Sequence, residues 1–370
     1  MNNCKYFKLC GACKYPLDDY ETALKSKVKE YQKILKDFRI GEVVANPCIY
    51  HYRNKITYRF FMQKAKLCAG FYEEGKAKPI SIDGCLIQKE TASKIMKDIL
   101  NYLNRYHVEA YNPLTKRGLV RYVMFRISSD DKVSMCLVLG SREFKGSNNF
   151  FKTLRKLHPE IVNIDMSINS RNTTVVIEGN IINVYGLGYL KDKMGDFIFN
   201  IPNNAFYQVN HDCALKIYED VVKRLGIQKD DVILDAYCGI GTISLFLAAK
   251  AKEVIGVEIN AQAVKMAKIN ARDNNIDNVS FITSDVSEYI YDNDFDILVV
   301  DPTRSGMDDR FIKTVLKKRP KKIAYVSCNP LTMADDLKKL KNDYSIEDIS
   351  LYDQFGFTSH FEALTILHRK

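Results

Sequence analysis

The feature that most restricts this chain lies past its middle. An apolar run, Asp231–Ala236, enters a turn reading Tyr237-Cys238-Gly239-Ile240-Gly241-Thr242, and a helical stretch, Thr242–Ala249, leaves it. Glycines there let the backbone turn tightly at a strand's end and open a helix N-terminus to a ligand. The alternation continues. Glu253–Ile259, Val279–Thr283, Asp296–Val300 and Lys322–Ser327 read as strands, while Asp212–Leu225, Ala261–Asn274, Asp309–Lys317 and Thr332–Leu340 read as helices. Two further runs, Ser345–Tyr352 and Ala363–His368, close the chain. Apolar strands alternating with helices of this length predict an α/β fold with a doubly wound, mostly parallel sheet over about residues 201–370.

In open α/β sheets a ligand binds beyond the carboxyl ends of the strands, so the residues there carry the most information. Glu258 ends the second strand, 23 residues after Asp235, where an acid can accept hydrogen bonds from both hydroxyls of a ribose. Nicotinamide and flavin cofactors use similar turns, and Ser244 stands where their fingerprint has a third glycine. Two later strands end in Asp301-Pro302-Thr303-Arg304-Ser305-Gly306 and Ser327-Cys328-Asn329-Pro330. Each proline closes its strand. Asp301 and Cys328 would then share the rim, with Cys328 placed as a nucleophile rather than as a packed thiol.

Taken in order, Tyr-Cys-Gly-Ile-Gly, Asp-Pro-Thr-Arg-Ser-Gly, Ser-Cys-Asn-Pro and the terminal His360-Phe361-Glu362 resemble the RNA uracil-5-methyltransferases, which use S-adenosylmethionine. The resemblance covers nearly the whole chain and implies a class I, Rossmann-like methyltransferase domain. Phe206-Tyr207-Gln208-Val209-Asn210 matches the family's segment ahead of the first sheet strand. By motif position Gln208, Tyr237, Glu258, Asp285 and Asp301 carry over as cofactor-site residues, with Asp285 near the adenine. The resemblance also implies the chemistry: Cys328 adds to carbon-6 of uracil, carbon-5 takes the methyl group, and Glu362 removes the carbon-5 proton. Where the family has Pro-Pro, this chain has Pro302-Thr303, which loosens the turn before Arg304.

The first half reads differently. Leu17 to Phe38 is a charged helix, expected to pack on the methyltransferase domain although it precedes it. From about Tyr50 to Gly188 short alternating segments (Lys55–Met62, Leu119–Ile127, Lys132–Leu139, Thr173–Ile177 and Ile181–Val184) predict a mainly antiparallel sheet, interrupted by a helix at Thr91–Tyr106. The first domain is thus placed over residues 1–200. Ten cysteines in 370 residues are dilute for a disulfide scaffold, and no apolar stretch is long enough for a membrane span. A cytoplasmic protein with no membrane partner and no obligatory protein partner is expected. Cys4, Cys10 and Cys13 crowd the start, and Cys85, in the turn Ile82-Asp83-Gly84-Cys85, is the best fourth ligand. Four thiolates suit zinc or an iron–sulfur cluster. The family resemblance decides for a [4Fe–4S] cluster with a structural or RNA-orienting role. Cys48, Cys68, Cys136, Cys213 and Cys238 are read as packed thiols.

The formal net charge of +10 favours a polyanionic partner. Arg53, Lys55, Thr57 and Arg59 would share one face of a strand, and Arg117, Arg121 and Arg126 recur around Leu119–Ile127, so both stretches are expected to track RNA phosphates. Lacking an N-terminal OB-like barrel, the chain resembles the short branch that methylates large-subunit (23S) ribosomal RNA, with a transfer RNA as the alternative. Outside that reading stand a methyltransferase for another base and a non-catalytic RNA chaperone with a degenerate pocket.

Overall fold

The computed structural model describes residues 4–370. In chain order the first half holds α1 (Tyr20–Ile34), β1 (Ile40–Val44), β2 (Lys55–Gln63), β3 (Lys66–Tyr72), β4 (Pro79–Ser81), α2 (Glu90–Arg105), β5 (Val120–Ile127), β6 (Val133–Leu139), α3 (Ser147–Leu157), β7 (Ile161–Ile168) and β8 (Ile181–Tyr185). A ribbon of β9 (Leu190–Met194) and β10 (Phe197–Ile201) follows. The second half holds α4 (His211–Leu225), β11 (Val232–Ala236), α5 (Thr242–Ala248), β12 (Glu253–Glu258), α6 (Ala261–Asp273), β13 (Val279–Thr283), α7 (Val286–Asp292) and β14 (Ile297–Val300). It closes with α8 (Asp309–Lys318), β15 (Lys322–Ser327), α9 (Pro330–Leu340), β16 (Tyr344–Ile346), β17 (Ile349–Tyr352) and β18 (Glu362–Arg369).

These elements form two compact units. The first contains residues up to Asp18, Cys48–Lys193 and Asn200–Asn204; the second contains Asp19–Pro47, Met194–Phe199 and Ala205–Lys370.

The second unit is built on a sheet of order β1-β17-β18-β15-β14-β11-β12-β13, with β16 also pairing to β18. Strands β13, β12, β11, β14 and β15 are mutually parallel, and β18 runs antiparallel to β15. All four residues of β14 are buried, as expected of a strand covered on both faces. Each rim turn hands over to a helix whose first N–H groups need partners. Asn260 caps α6, Asp285 caps α7 and Asp308 caps α8 through their side chains, and Pro330 opens α9. Helix α1 belongs to this unit: its Tyr31 lies in one buried cluster with Leu234, Val300, Tyr325 and Phe361. β1 pairs in parallel with β17 at the sheet edge.

The first unit carries a sheet of order β4-β3-β2-β5-β6-β7-β8. One face is covered by α2 and α3, whose Ile95, Ile99, Leu103, Phe150 and Leu154 pack with Ile56, Val123, Phe125 and Leu137 of the strands. The sheet is antiparallel except for β6 and β7, which are parallel and joined through α3. Two readings of the sequence are corrected here. α3 and β7 form where no element was expected. Thr173–Ile177 is not a strand, because Val176 and Ile177 turn in against Tyr122 and Met124 instead of pairing. β13 ends at Thr283 as expected, and Asp285 beyond it caps α7.

Candidate active site

Strand register builds the site. Ala236 faces Val257 on one side and Val300 on the other, so Tyr237, Glu258 and Asp301 emerge together at the carboxyl rim. Ser327 faces Ala363 in the last pair of the β15–β18 ladder. Cys328 follows the first of these and Glu362 precedes the second, so the thiol and the carboxylate leave the ladder side by side. Only an antiparallel neighbour can do this, since its start lies where the parallel strands end.

The glycine turn is an open cradle. Tyr237 adopts a left-handed backbone (φ 66°), uncommon for a residue with a side chain and often found at functional turns. Its ring rests against Phe311 with centroids 5.7 Å apart. A Cβ added at Gly239 would meet nothing within 4 Å, so the backbone there faces free space. The Glu258 carboxylate accepts from Gly239 N at 3.3 Å and Asn260 N at 2.8 Å. It is thereby held at the lip of the turn. Asp235, which the sequence did not single out as a site residue, is buried beneath and accepts from Ser244 Oγ. Burial pushes its carboxyl up to about 7. Asp285 sits one strand further out, its Oδ1 accepting from Glu288 N at 3.2 Å.

At the other end of the rim, Gln354 Nε2 donates to Gln208 Oε1 at 2.6 Å and to Glu362 Oε2 at 3.3 Å. Glu362 is 1 % exposed, and its Oε1 has no hydrogen-bond partner among the described residues. Gln354 Oε1 is likewise buried without one. Such atoms are costly in a finished core and expected where a ligand completes the site. Burial, then the nearby charge of Asp301, hold the Glu362 carboxyl well above its usual range. Asp301 is itself raised to about 7 by burial and by Asp235. The half-buried Cys328 thiol is pushed up to about 11 by burial and by the charges of Glu362 and Asp301, while the Arg304 guanidinium acts in the opposite sense.

Arg304 is placed from two sides. Asn329 Nδ2 donates to its carbonyl at 2.9 Å, and its Nη2 donates to the His360 ring, 3.1 Å from Nδ1. Burial and the charge of Arg304 keep His360 below its ordinary pKa, so the ring is a neutral acceptor. Gly306 closes the turn at φ 78°, where a Cβ would stand 2.6 Å from Asp336 Oδ2. Thr303, in place of the second proline, has its hydroxyl 2.8 Å from that of Ser305.

The segment between β17 and β18 that delivers Glu362 is pinned by α1. Lys27 and Asp353 form a fully buried ion pair, Tyr20 OH donates to Asp353 Oδ2 at 2.7 Å, and Tyr31 OH donates to Ser359 O at 3.0 Å. Lys27 Nζ also lies 4.3 Å from the Phe361 ring centre. No local pattern marks Lys27, Gln354 or Asp353 in the sequence, because their partners are remote along the chain.

The protein's relatives can now be set beside this geometry. A family profile described as tRNA (Uracil-5-)-methyltransferase matches residues 19–370. The chain belongs to that family. This methyltransferase is 33 % identical over 382 residues to an uncharacterized RNA methyltransferase of Halalkalibacterium halodurans, spanning 99 % of this chain and 83 % of the relative. It is 32 % identical over 376 residues to one of Clostridium tetani, spanning 98 % and 82 %. Among solved structures, it resembles the Pyrococcus abyssi tRNA (uracil-54, C5)-methyltransferase in complex with S-adenosyl-L-homocysteine. That likeness has a TM-score of 0.79 at 28 % identity, over 94 % of this chain and 83 % of that one.

The first unit of the methyltransferase gathers the four early thiols. Cys4, Cys10, Cys13 and Cys85 line one cavity with Phe7, Leu17, Phe71 and Ile82. Tyr6 OH donates to Asp83 Oδ1 at 2.6 Å and Lys5 pairs with Asp83, tying the N-terminal loop to the turn that carries Cys85. Burial, then the charges of neighbouring thiols, raise Cys13 to about 12. Among the described residues no three His, Cys, Asp or Glu side chains are gathered tightly enough to hold one metal ion. Of the thiols read as packed, Cys136, Cys213 and Cys238 are buried, Cys68 is half-buried and Cys48 is exposed.

The expected RNA faces survive only in part. Arg121 is buried, and its guanidinium donates to Asn169 O at 2.9 Å, Arg171 O at 2.6 Å and Thr173 O at 2.8 Å. It therefore ties down the 169–173 loop instead of facing solvent. Arg126 is buried too, Arg53, Lys55 and Arg59 are half-buried, and Arg117 is exposed. No helix among the described residues is long and apolar enough to cross a membrane.

Proposed function

We propose that this enzyme methylates carbon-5 of a uridine in RNA through a covalent intermediate, with Cys328 as nucleophile and Glu362 as general base. The observation that carries the reading is the end of the β15–β18 ladder, which sets that thiol beside that carboxylate at the cofactor rim. S-adenosylmethionine, when bound, supplies a methyl group activated by its positive sulfur. The residues present fit it: a glycine turn with free space before it, a held acid in Glu258 for the ribose, and Gln208, Tyr237, Asp285 and Asp301 along the same rim.

Carbon-5 of uracil is a weak nucleophile. The Cys328 thiolate adds to carbon-6, forming the carbon–sulfur bond and pushing the ring double-bond pair towards O4 as an enolate. That pair would return through carbon-5 to form the bond to the methyl carbon, whose bond to the donor sulfur breaks with its electron pair left on sulfur as a neutral thioether. Glu362 then takes the carbon-5 proton, the double bond re-forms, and Cys328 leaves as thiolate. The Gln354 amide hydrogen on Glu362 Oε2 favours the ionised carboxylate against its burial. Arg304 favours the ionised thiol. Because carbon-6 of a stacked base is shielded, the uridine has to leave its stack to reach Cys328.

The target is proposed as large-subunit ribosomal RNA, the class expected from the family resemblance. The likeness to an archaeal enzyme named for uracil-54 of tRNA favours transfer RNA as the second reading. Mapping 5-methyluridine in both RNA classes from cells with and without the gene tests this. One ribosomal site should lose its methyl group in the deletion strain. Loss confined to transfer RNA would establish the second reading, and no loss in any RNA would overturn uridine methylation.

For the four thiols the proposal is a [4Fe–4S] cluster held by Cys4, Cys10, Cys13 and Cys85. Their shared, largely apolar cavity supports it. It would join the N-terminal loop to the turn at Cys85, with no part in methyl transfer. Anaerobic purification should give a brown protein with about four irons per chain, and Cys13→Ser should lose the colour. A colourless protein holding one zinc would overturn the assignment.

A further inference from the structure

With Arg121 and Arg126 turned inward, another set of exposed cations in the first unit stands out as a cluster on α3. Lys152, Arg155 and Lys156 stand three and four residues apart on this helix, so they share one face, and all are exposed. They line a groove with Asn148, Phe151, Val184 and Tyr185, between α3 and the edge strand β8, and among the described residues no acidic side chain lines it. Arg155 lies over the Tyr185 ring, its guanidinium carbon 3.4 Å from the ring centre. Among the described residues none of the three cations forms an ion pair, although surface lysines elsewhere commonly do: Lys318 with Asp294, Lys321 with Asp296, Lys339 with Asp309. Like charges at these spacings destabilise a helix. The cluster is therefore a set of repelling cations around an apolar floor, with a planar group held ready on an aromatic shelf.

We infer that this groove binds the sugar–phosphate backbone of the substrate RNA at an unpaired stretch away from the target base. Lys152 and Lys156 meet phosphates, and the outer face of the Arg155 guanidinium stacks on a base. The chemistry matches the general mode of single-strand recognition, in which cations track phosphates and arginine or aromatic planes carry bases. A protein partner with an acidic surface is the other occupant such charge could take, and the experiment separates the two. The inference rests on RNA being the substrate, but not on which RNA or which base is methylated.

The test uses the full-length protein with in vitro transcripts of 23S ribosomal RNA and of transfer RNA, measuring dissociation constants over a range of salt concentrations. The triple variant Lys152→Gln/Arg155→Gln/Lys156→Gln should weaken binding about tenfold at moderate salt. It should also flatten the plot of log affinity against log salt by about 0.7 for each phosphate no longer neutralised. S-adenosylmethionine binding should not change, and the loss in methylation should fall on KM for RNA, leaving kcat alone. Tyr185→Ala should weaken binding while leaving the salt slope near that of the parent. The comparison variant Lys25→Gln/Lys29→Gln/Lys33→Gln removes the same charge from α1 and should change the slope little. An unchanged slope in the α3 variant, or an equal change in the α1 variant, overturns the inference, and the former result leaves an acidic protein as the occupant of the groove. If neither transcript is methylated by the parent protein, the functional reading fails for those RNAs, while the salt slopes still decide for or against the groove.

Discussion

Cys328→Ala is expected to lower methyl transfer to RNA by at least about 10⁴-fold, a barrier increase of roughly 5 kcal/mol. Nothing else described at the rim can replace the thiol, since Glu362 and Asp301 carry carboxyl groups, far weaker nucleophiles than a thiolate, and His360 already accepts from Arg304. The cofactor cradle is formed by other strands, so S-adenosylmethionine affinity should stay within about twofold of the parent. Single-turnover methylation with labelled cofactor, set beside equilibrium cofactor binding, measures both. A variant retaining more than a tenth of the parental rate would rule out addition at carbon-6. Cys328→Ser should behave as the alanine variant does, because a serine hydroxyl is far harder to ionise than a thiol.

Glu362→Gln should separate the two halves of the reaction. Attack and methyl transfer need the thiol, whereas release needs a base, so the variant should accumulate protein joined to RNA that already carries the methyl group. A band of protein plus RNA that survives denaturing electrophoresis and holds the label is the readout. Rapid turnover with no such band would exclude Glu362 as the base. The pH dependence supplies a second and opposite signature. Burial, then Glu362 and Asp301, raise the Cys328 pKa to about 11. Neutralising Glu362 lets the thiol ionise at lower pH, so adduct formation in Glu362→Gln should rise at a lower pH than in the parent, even as product release stops. Arg304→Gln should move the same limb the other way. Peptide-resolved alkylation of Cys328 between about pH 7 and 11 measures both shifts.

The sequence revealed the parallel half of the fold well, because strands such as Ile297–Val300 are buried on both faces and read as continuous apolar runs. The candidate residues on those strands were legible for the same reason: Glu258, Asp301 and Cys328 each stand where a run stops. Glu362 was legible only through its motif. Its position depends on β18 being antiparallel, and nothing near residue 362 states the direction of its neighbour. Gln354 and Lys27 stayed hidden because their partners are set by tertiary packing. The first unit was read less well. β5 and β6 formed as expected, but α3 and β7 were missed, and the arginines of β5 looked like surface charge although Arg121 lies among carbonyl oxygens.

The edge pairing of β1 with β17 has a consequence in time. Ile40 bonds across to a strand containing Ile349, so one edge of the sheet waits for its neighbour while some three hundred residues are still to be synthesised. At synthesis rates of about 5–20 residues per second that delay is roughly 15–60 s. All the strands of the first unit's sheet are made within the interval, whereas β18, which carries Glu362, comes last. On the ribosome the chain therefore exists for a while as a finished first unit and an unfinished catalytic one. A nascent chain stalled before residue 362 lacks β18, so β15 and β17 have no strand between them and the proposed base is missing.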